Sequence, residues 1–185
     1  QLMIFFLEYL KHPAKIGAIA PSGKWLAKKM VESIPFDACN CIVEYGPGTG
    51  AFTEEIIKGK KRETTFLVIE QNESFYNMLK SKYANVPNLI LIHGDAGDVE
   101  KYLTDYHVES VDYIVSGLPF TSLPKSVSEH ILNATNRIIG ERGRFITFQY
   151  TLLKRSFFEQ YFKIRNITYE FKNMPPAHVL VMENK

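Results

Sequence analysis

VEYGPGTGAF, residues 43–52, places three glycines between an apolar run and a helix-like stretch. Gly46 and Gly48 permit torsions and a close ligand approach that a Cβ would block. The helix start that follows, from Gly50 onward, offers unpaired N–H groups to a polar ligand. The run G-P-G-T-G-A satisfies both G-x-G-x-G and the dinucleotide form G-x-G-x-x-G/A. Glu70 ends the next apolar run, where a carboxylate can accept both hydroxyls of a ribose. Asp95, in HGDAGD, could accept from an adenine amino group while the next backbone N–H serves a ring nitrogen. Singly, these are a tight turn, a solvated charge and a helix cap. Together, as the tips of three successive strands, they form one adenosine-sized site.

A second stretch, SGLPFTSLP at 116–124, leaves a buried-looking run, VDYIV, and turns on a glycine and two prolines. A turn does not need Phe120, which looks exposed at the elbow. Cys39 and Cys41 are the only cysteines, and C-x-C is neither a complete metal site nor the C-x-x-C redox spacing. They read as two reduced thiols beside a strand start, which fits an intracellular, cytoplasmic setting.

Alternating elements must position these residues. CIVEY (41–45), TFLVIE (65–70), NLILIH (88–93), VDYIVS (111–116) and GRFITFQY (143–150) read as strands. Helices are expected over about 50–58, 72–83, 97–106 and 124–139. Continuous apolar strands separated by helices argue for an α/β fold, a parallel sheet covered on both faces. After a helix near 153–162, KIRNITYEF (163–171) and HVLVME (178–183) are joined by a link too short for a helical crossover. The last two strands should therefore be antiparallel neighbours. Helices over about 2–11 and 22–33, the second capped by Ser22, fall outside the sheet pattern.

At 185 residues, with no repeat, low-complexity tract or linker, one domain is expected over 1–185: an N-terminal helical lid (1–35) and a cofactor-binding core (36–185). A net charge of +2 is too small to argue for nucleic acid by itself. The first thirty residues are nonetheless lysine-rich, with Lys11, Lys15, Lys24, Lys28 and Lys29 against Glu8. QLMIFFLEYL is apolar but too short for a bilayer span, which needs about 20 residues. Beside its lysines it can lie in a headgroup layer, or pack as a lid on its own domain.

E-Y-G-P-G-T-G, the Glu70 strand end, H-G-D-A at 93–96, the loop after the fourth strand and the antiparallel tail together resemble the class I S-adenosylmethionine-dependent methyltransferases. The resemblance implies a Rossmann-like, seven-stranded, mostly parallel sheet with the antiparallel C-terminal strand between the fifth and sixth. It implies methionine contact by Gly46, Gly48 and Gly50 with Glu44 nearby, ribose contact by Glu70 beside Gln71, and adenine contact by Asp95 and the Ala96 backbone. Ser116 and Gly117 complete the cofactor side.

Two branches are similar. The rRNA adenine N6-dimethyltransferases carry Asn-Leu/Ile-Pro-Phe/Tyr after strand four, whose Asn and Pro oxygens hold the target amine. Gly117-Leu118-Pro119-Phe120 aligns there without the Asn. The bacterial phospholipid N-methyltransferases look closer, through LKHPAKIGAIAPSG (10–23), SGLPFTSLP and PPAHVLV (175–181). That resemblance implies methylation of a phospholipid ethanolamine amine, converting S-adenosylmethionine to S-adenosylhomocysteine, with peripheral contact at the inner membrane face. Carbonyls around Leu118 and Pro119 would orient the amine, and Phe120 would face the ammonium. Tyr9, His12 and His178 are candidate proton acceptors. RNA or a small soluble amine is the alternative acceptor. A nicotinamide-dependent oxidoreductase would need a second mononucleotide-binding half, which the chain lacks; a non-catalytic binding protein would bind cofactor without turnover.

Overall fold

The computed structural model describes residues 21–185. The expected helix over 2–11, with Tyr9, Lys11 and His12, lies outside the described residues. Helix α1 spans Pro21–Val31, so Ser22 sits within its first turn rather than at its cap.

The core elements then run β1 Cys41–Tyr45, α2 Ala51–Gly59, β2 Thr65–Glu70, α3 Glu73–Lys82, β3 Leu89–His93, α4 Val99–Asp105, β4 Val111–Ser116, α5 Lys125–Ile138 and β5 Ile139–Gln149. The tail adds α6 Arg155–Glu159, β6 Lys163–Glu170 and β7 Ala177–Glu183. The expected strands match closely, except that β5 begins at Ile139 rather than residue 143. Its first residue pairs with Val111 before the register slips and Tyr113 meets Arg144. The polar IGERG run hid that extension. The helix expected near 153–162 is short, since chain turns at both ends leave only Arg155–Glu159 helical.

One seven-stranded sheet has the order β3-β2-β1-β4-β5-β7-β6. β7 pairs antiparallel with both β5 and β6, and every other pairing is parallel. This is the seven-stranded arrangement expected from the resemblance, with β7 inserted between β5 and β6. The central strands are apolar throughout because both faces are covered. Val43, Leu67, Ile69, Ile114 and Phe145 face α4, α5 and α6 through Leu103, Leu132 and Phe158. Ile42, Phe66, Val68, Val115 and Ile146 face α1 and α2 through Met30, Phe52 and Ile56. Strand alternation divides the residues between these two cores.

β6 forms an exposed edge. Its Lys163 and Arg165, with Arg144 from β5, surround the Glu183 carboxylate of β7 at 3.8, 3.6 and 3.2 Å. Charges on an edge strand discourage pairing with a further chain.

Candidate active site

Strand order reverses between β1 and β4, and the crevice at such a switch point, beyond the carboxyl ends of the strands, is where open α/β sheets bind ligands. Tyr45 of β1 is in register with Ile69 of β2 and Ser116 of β4, and Glu70 with His93 of β3. The glycine loop, Glu70, Asp95 and the 116–124 loop therefore share one rim.

In the glycine loop, Gly46, Gly48 and Gly50 adopt φ of +60°, +56° and +89°, values that favour glycine. The loop is tied down on both sides, with Gly46 N donating to Ile69 O at 3.0 Å and Gly48 N to Glu70 Oε2 at 3.0 Å. A side chain at Gly48 would project where no described residue lies within 4 Å, leaving that flank open for a ligand.

Glu70 is buried, and desolvation raises its pKa while the N–H groups of Asn72 and Gly48 oppose the shift. Oε1 accepts from Asn72 N at 2.7 Å. Each oxygen retains a lone pair, so the carboxylate can hold its own loop and still accept ribose hydroxyls. Gln71 contributes its carbonyl to His93 Nε2 at 3.1 Å, and its side chain is exposed. Asp95 Oδ1 accepts from Gly97 N at 2.7 Å, capping a short 3-10 turn that starts at buried Ala96. Cap and adenine acceptor are compatible, because the carboxylate has a second oxygen.

Glu44 is fully buried in β1. Thr53 Oγ1 donates to its Oε2 at 2.7 Å, while Oε1 has no partner among the described residues. Burial pushes its carboxyl up to about 8, the Thr53 bond opposing and the nearby Glu70 charge adding. A buried acceptor left unsatisfied is costly unless a ligand donor meets it. S-adenosylmethionine brings an ammonium, a ribose and an adenine, and these donor and acceptor sets fit it.

The loop after β4 departs from expectation at its elbow. Phe120 is buried rather than exposed, 3% accessible, with ring centroids 6.0 Å from Phe145 and 5.8 Å from Phe158, both edge-on. Ser128 Oγ donates to its carbonyl at 3.1 Å, closing the loop onto α5. Gly117, Leu118 and Pro119, just before it, are half-buried. Pro119 O already accepts from Ser122 N and Leu123 N, at 2.8 and 3.1 Å. Leu118 O accepts from Phe120 N at 3.0 Å and keeps a lone pair free of that bond. Ser116, fully buried, accepts Leu118 N on its Oγ at 3.1 Å and so shapes the turn.

The two loops touch. Gly117 N donates to Tyr45 O at 2.8 Å, and a Cβ on Gly117 would lie 2.5 Å from Gly46 O. A Cβ on Gly46 would meet Leu118 Cδ2, also at 2.5 Å. Thr53 and Thr147 were missed from the sequence. Thr53 positions Glu44, and Thr147 Oγ1 reaches Ser116 O at 3.5 Å. Only their inward strand and helix positions signal such roles. His178 lies on β7 opposite Gln149, with its ring 4.8 Å from that of Tyr169 and a buried Nδ1 lacking a partner among the described residues. Cys39 and Cys41 are free and buried, their thiols pushed up to about 11 and 12 by desolvation, away from this rim.

Comparison with known proteins adds to this geometry. The profile of the ribosomal RNA adenine dimethylase family matches residues 24–167. An ornithine lipid N-methyltransferase of Singulisphaera acidiphila is 30% identical over 179 residues, 96% of this chain and 93% of that one. A ribosomal RNA small subunit methyltransferase A of Borreliella burgdorferi is 30% identical over 131 residues, but this chain spans only 44% of its length. Among solved structures, the N-methyltransferase NodS of Bradyrhizobium japonicum, in complex with S-adenosylhomocysteine, superposes with a TM-score of 0.71 at 12% identity, covering 98% and 97% of the two chains.

Proposed function

The chain belongs to the ribosomal RNA adenine dimethylase family and is an S-adenosylmethionine-dependent methyltransferase; within that family, we propose that it methylates the amine of a lipid headgroup rather than adenine in RNA. The observation that carries this reading is the packing of Gly117. In the adenine-directed enzymes an Asn at the aligned position holds the base. Here any Cβ at Gly117 meets the Gly46 carbonyl at 2.5 Å, so the backbone leaves no room for that amide. Similarity to an ornithine lipid N-methyltransferase along almost its full length supports the same acceptor class.

When bound, S-adenosylmethionine supplies a methyl group on a sulfonium, an electrophile that needs no acid to release its leaving group. The chain's task is placement, which can account for about 7–11 kcal/mol of a barrier. Glu70 and Asp95 would hold the ribose and adenine, and Glu44 with the glycine loop the methionine end. Leu118 O would accept one N–H of the neutral acceptor amine, directing its lone pair at the methyl carbon. The product ammonium releases one proton to solvent. Phe120 serves as the anchor that fixes this loop to the core. Among the described residues no helix is long and apolar enough to cross a membrane.

The test supplies phosphatidylethanolamine vesicles, ornithine lipid and unmodified ribosomal RNA in parallel, with transferred methyl groups counted by mass spectrometry. Methyl gain on a lipid amine is the expected outcome. Gain on RNA adenine with neither lipid methylated would overturn the proposal.

A further inference from the structure

Several large apolar side chains remain exposed at one edge of the sheet. Phe171 is 67% accessible and Met174 76%, both in the turn joining β6 to β7. Trp25, 44% accessible on α1, lies beside them, with Lys172 Nζ 4.5 Å from its ring and 5.9 Å from that of Phe171. Lys28 Nζ approaches the same indole at 5.9 Å. Burying Phe171 or Met174 would be favourable, yet the fold leaves both in water.

Register places this tip. Tyr169 of β6 pairs with His178 of β7, which pairs with Gln149 at the end of β5; two residues earlier on β5, Thr147 pairs with Ser116. The tip therefore projects beyond the same edge of the sheet as the acceptor loop. Lys154 Nζ donates to Thr121 O of the acceptor loop at 3.1 Å, and the adjacent Leu153 is 89% accessible. Lys24, Lys28, Lys154 and Lys172 form no ion pair among the described residues, and the Glu170 carboxylate is turned back on its own turn by Lys172 N at 2.8 Å. Apolar tips ringed by lysines suit an anionic headgroup layer, with rings and alkyl chains at the interface and cations on phosphates. Leu153 and Met174 add aliphatic surface that suits acyl chains, and the vesicle and RNA arms below separate the two occupants.

We propose that the β6–β7 tip, together with Trp25 of α1, docks this protein on an anionic lipid surface and so seats the acceptor loop on the bilayer. The proposal rests on the lipid-acceptor reading above. It places the lipid contact on described residues of α1 and of the β6–β7 turn.

Trp25 is the only tryptophan and a built-in reporter. Vesicles of equal phosphatidylglycerol and phosphatidylcholine should move its emission to shorter wavelength, brominated acyl chains should quench it, and high salt should release the protein. The variant F171S/M174S changes exposed positions only. It should keep wild-type binding of S-adenosylhomocysteine, partition onto vesicles at least tenfold more weakly, and methylate phosphatidylethanolamine in vesicles more slowly. With monomeric dihexanoyl-phosphatidylethanolamine its rate should equal wild type. Partitioning of the variant like wild type, unchanged Trp25 emission on vesicles, or a response to RNA but not vesicles would overturn the proposal. Tip-dependent docking with neither form of phosphatidylethanolamine nor ornithine lipid methylated leaves docking standing and removes the acceptor reading. Methylation of both forms without tip-dependent docking does the reverse.

Discussion

Glu70 combines two duties in one carboxylate on the proposed reading, holding Gly48 N and Asn72 N while accepting the ribose hydroxyls. Replacing Glu70 by Ala should weaken S-adenosylhomocysteine binding at least tenfold by calorimetry, equivalent to about 1.4 kcal/mol or more. Glu70→Gln, which keeps one acceptor oxygen, should fall between. Glu44 gives a second test at this scale. Unfolded, it ionises near its ordinary 4.5, but in the folded chain only at about 8. The folded state therefore holds this proton more tightly, so the stabilising difference is complete below about pH 4.5 and is lost as pH rises toward 8. Thermal melts of the ligand-free protein should decline across that window, and Glu44→Gln should flatten the decline, with a remainder from Glu70, whose pKa is raised in the same direction. A bound ligand ammonium would meet the ionised form, so S-adenosylhomocysteine should recover more melting temperature at pH 8 than at pH 5 in wild type, and less so in Glu44→Gln. An unchanged slope in the variant would place the titration elsewhere.

The 116–124 loop is the element whose rigidity the site depends on, and Phe120 supplies it. Phe120→Ala should cost about 3–5 kcal/mol in urea denaturation, the range for deleting a buried aromatic. A ring at an exposed elbow would cost almost nothing. Gly117→Asn should cost about 1–3 kcal/mol of overpacking strain and weaken cofactor binding too, because it forces the Gly46 loop to shift. The central strands were legible in the sequence because two-sided burial demands unbroken apolar runs, as in TFLVIE. The glycine loop and the acidic strand ends at one rim were legible too, since a strand end followed by glycine or an acid is a local signal. Phe120 was not. Its burial comes from Phe145 and Phe158, which lie far along the chain, and one aromatic between prolines has no periodicity to reveal a partner. Glu44 was named as a contact, but its solitary oxygen came from packing by Thr53 and the strands on either side.

At the scale of the molecule, α1 and α2 on one face and α4 to α6 on the other share a single sheet, so the described chain should melt as one unit. Trp25 emission and far-ultraviolet circular dichroism should give coincident urea transitions. S-adenosylhomocysteine at a hundredfold excess over its Kd should add about 2.7 kcal/mol to both. The charged β6 edge makes sheet extension into a second copy an unfavourable route to assembly. The contact between Gly117 and the Gly46 carbonyl has a further consequence, for evolutionary change. Donor and acceptor loops are interlocked, so an asparagine arriving at position 117 would strain the fold before it could offer any new substrate contact. A lineage drifting from lipid amines toward bases would first have to move its glycine loop. On the proposed reading, the two chemistries would be separated by a step that costs cofactor-loop geometry before it gains any new acceptor contact.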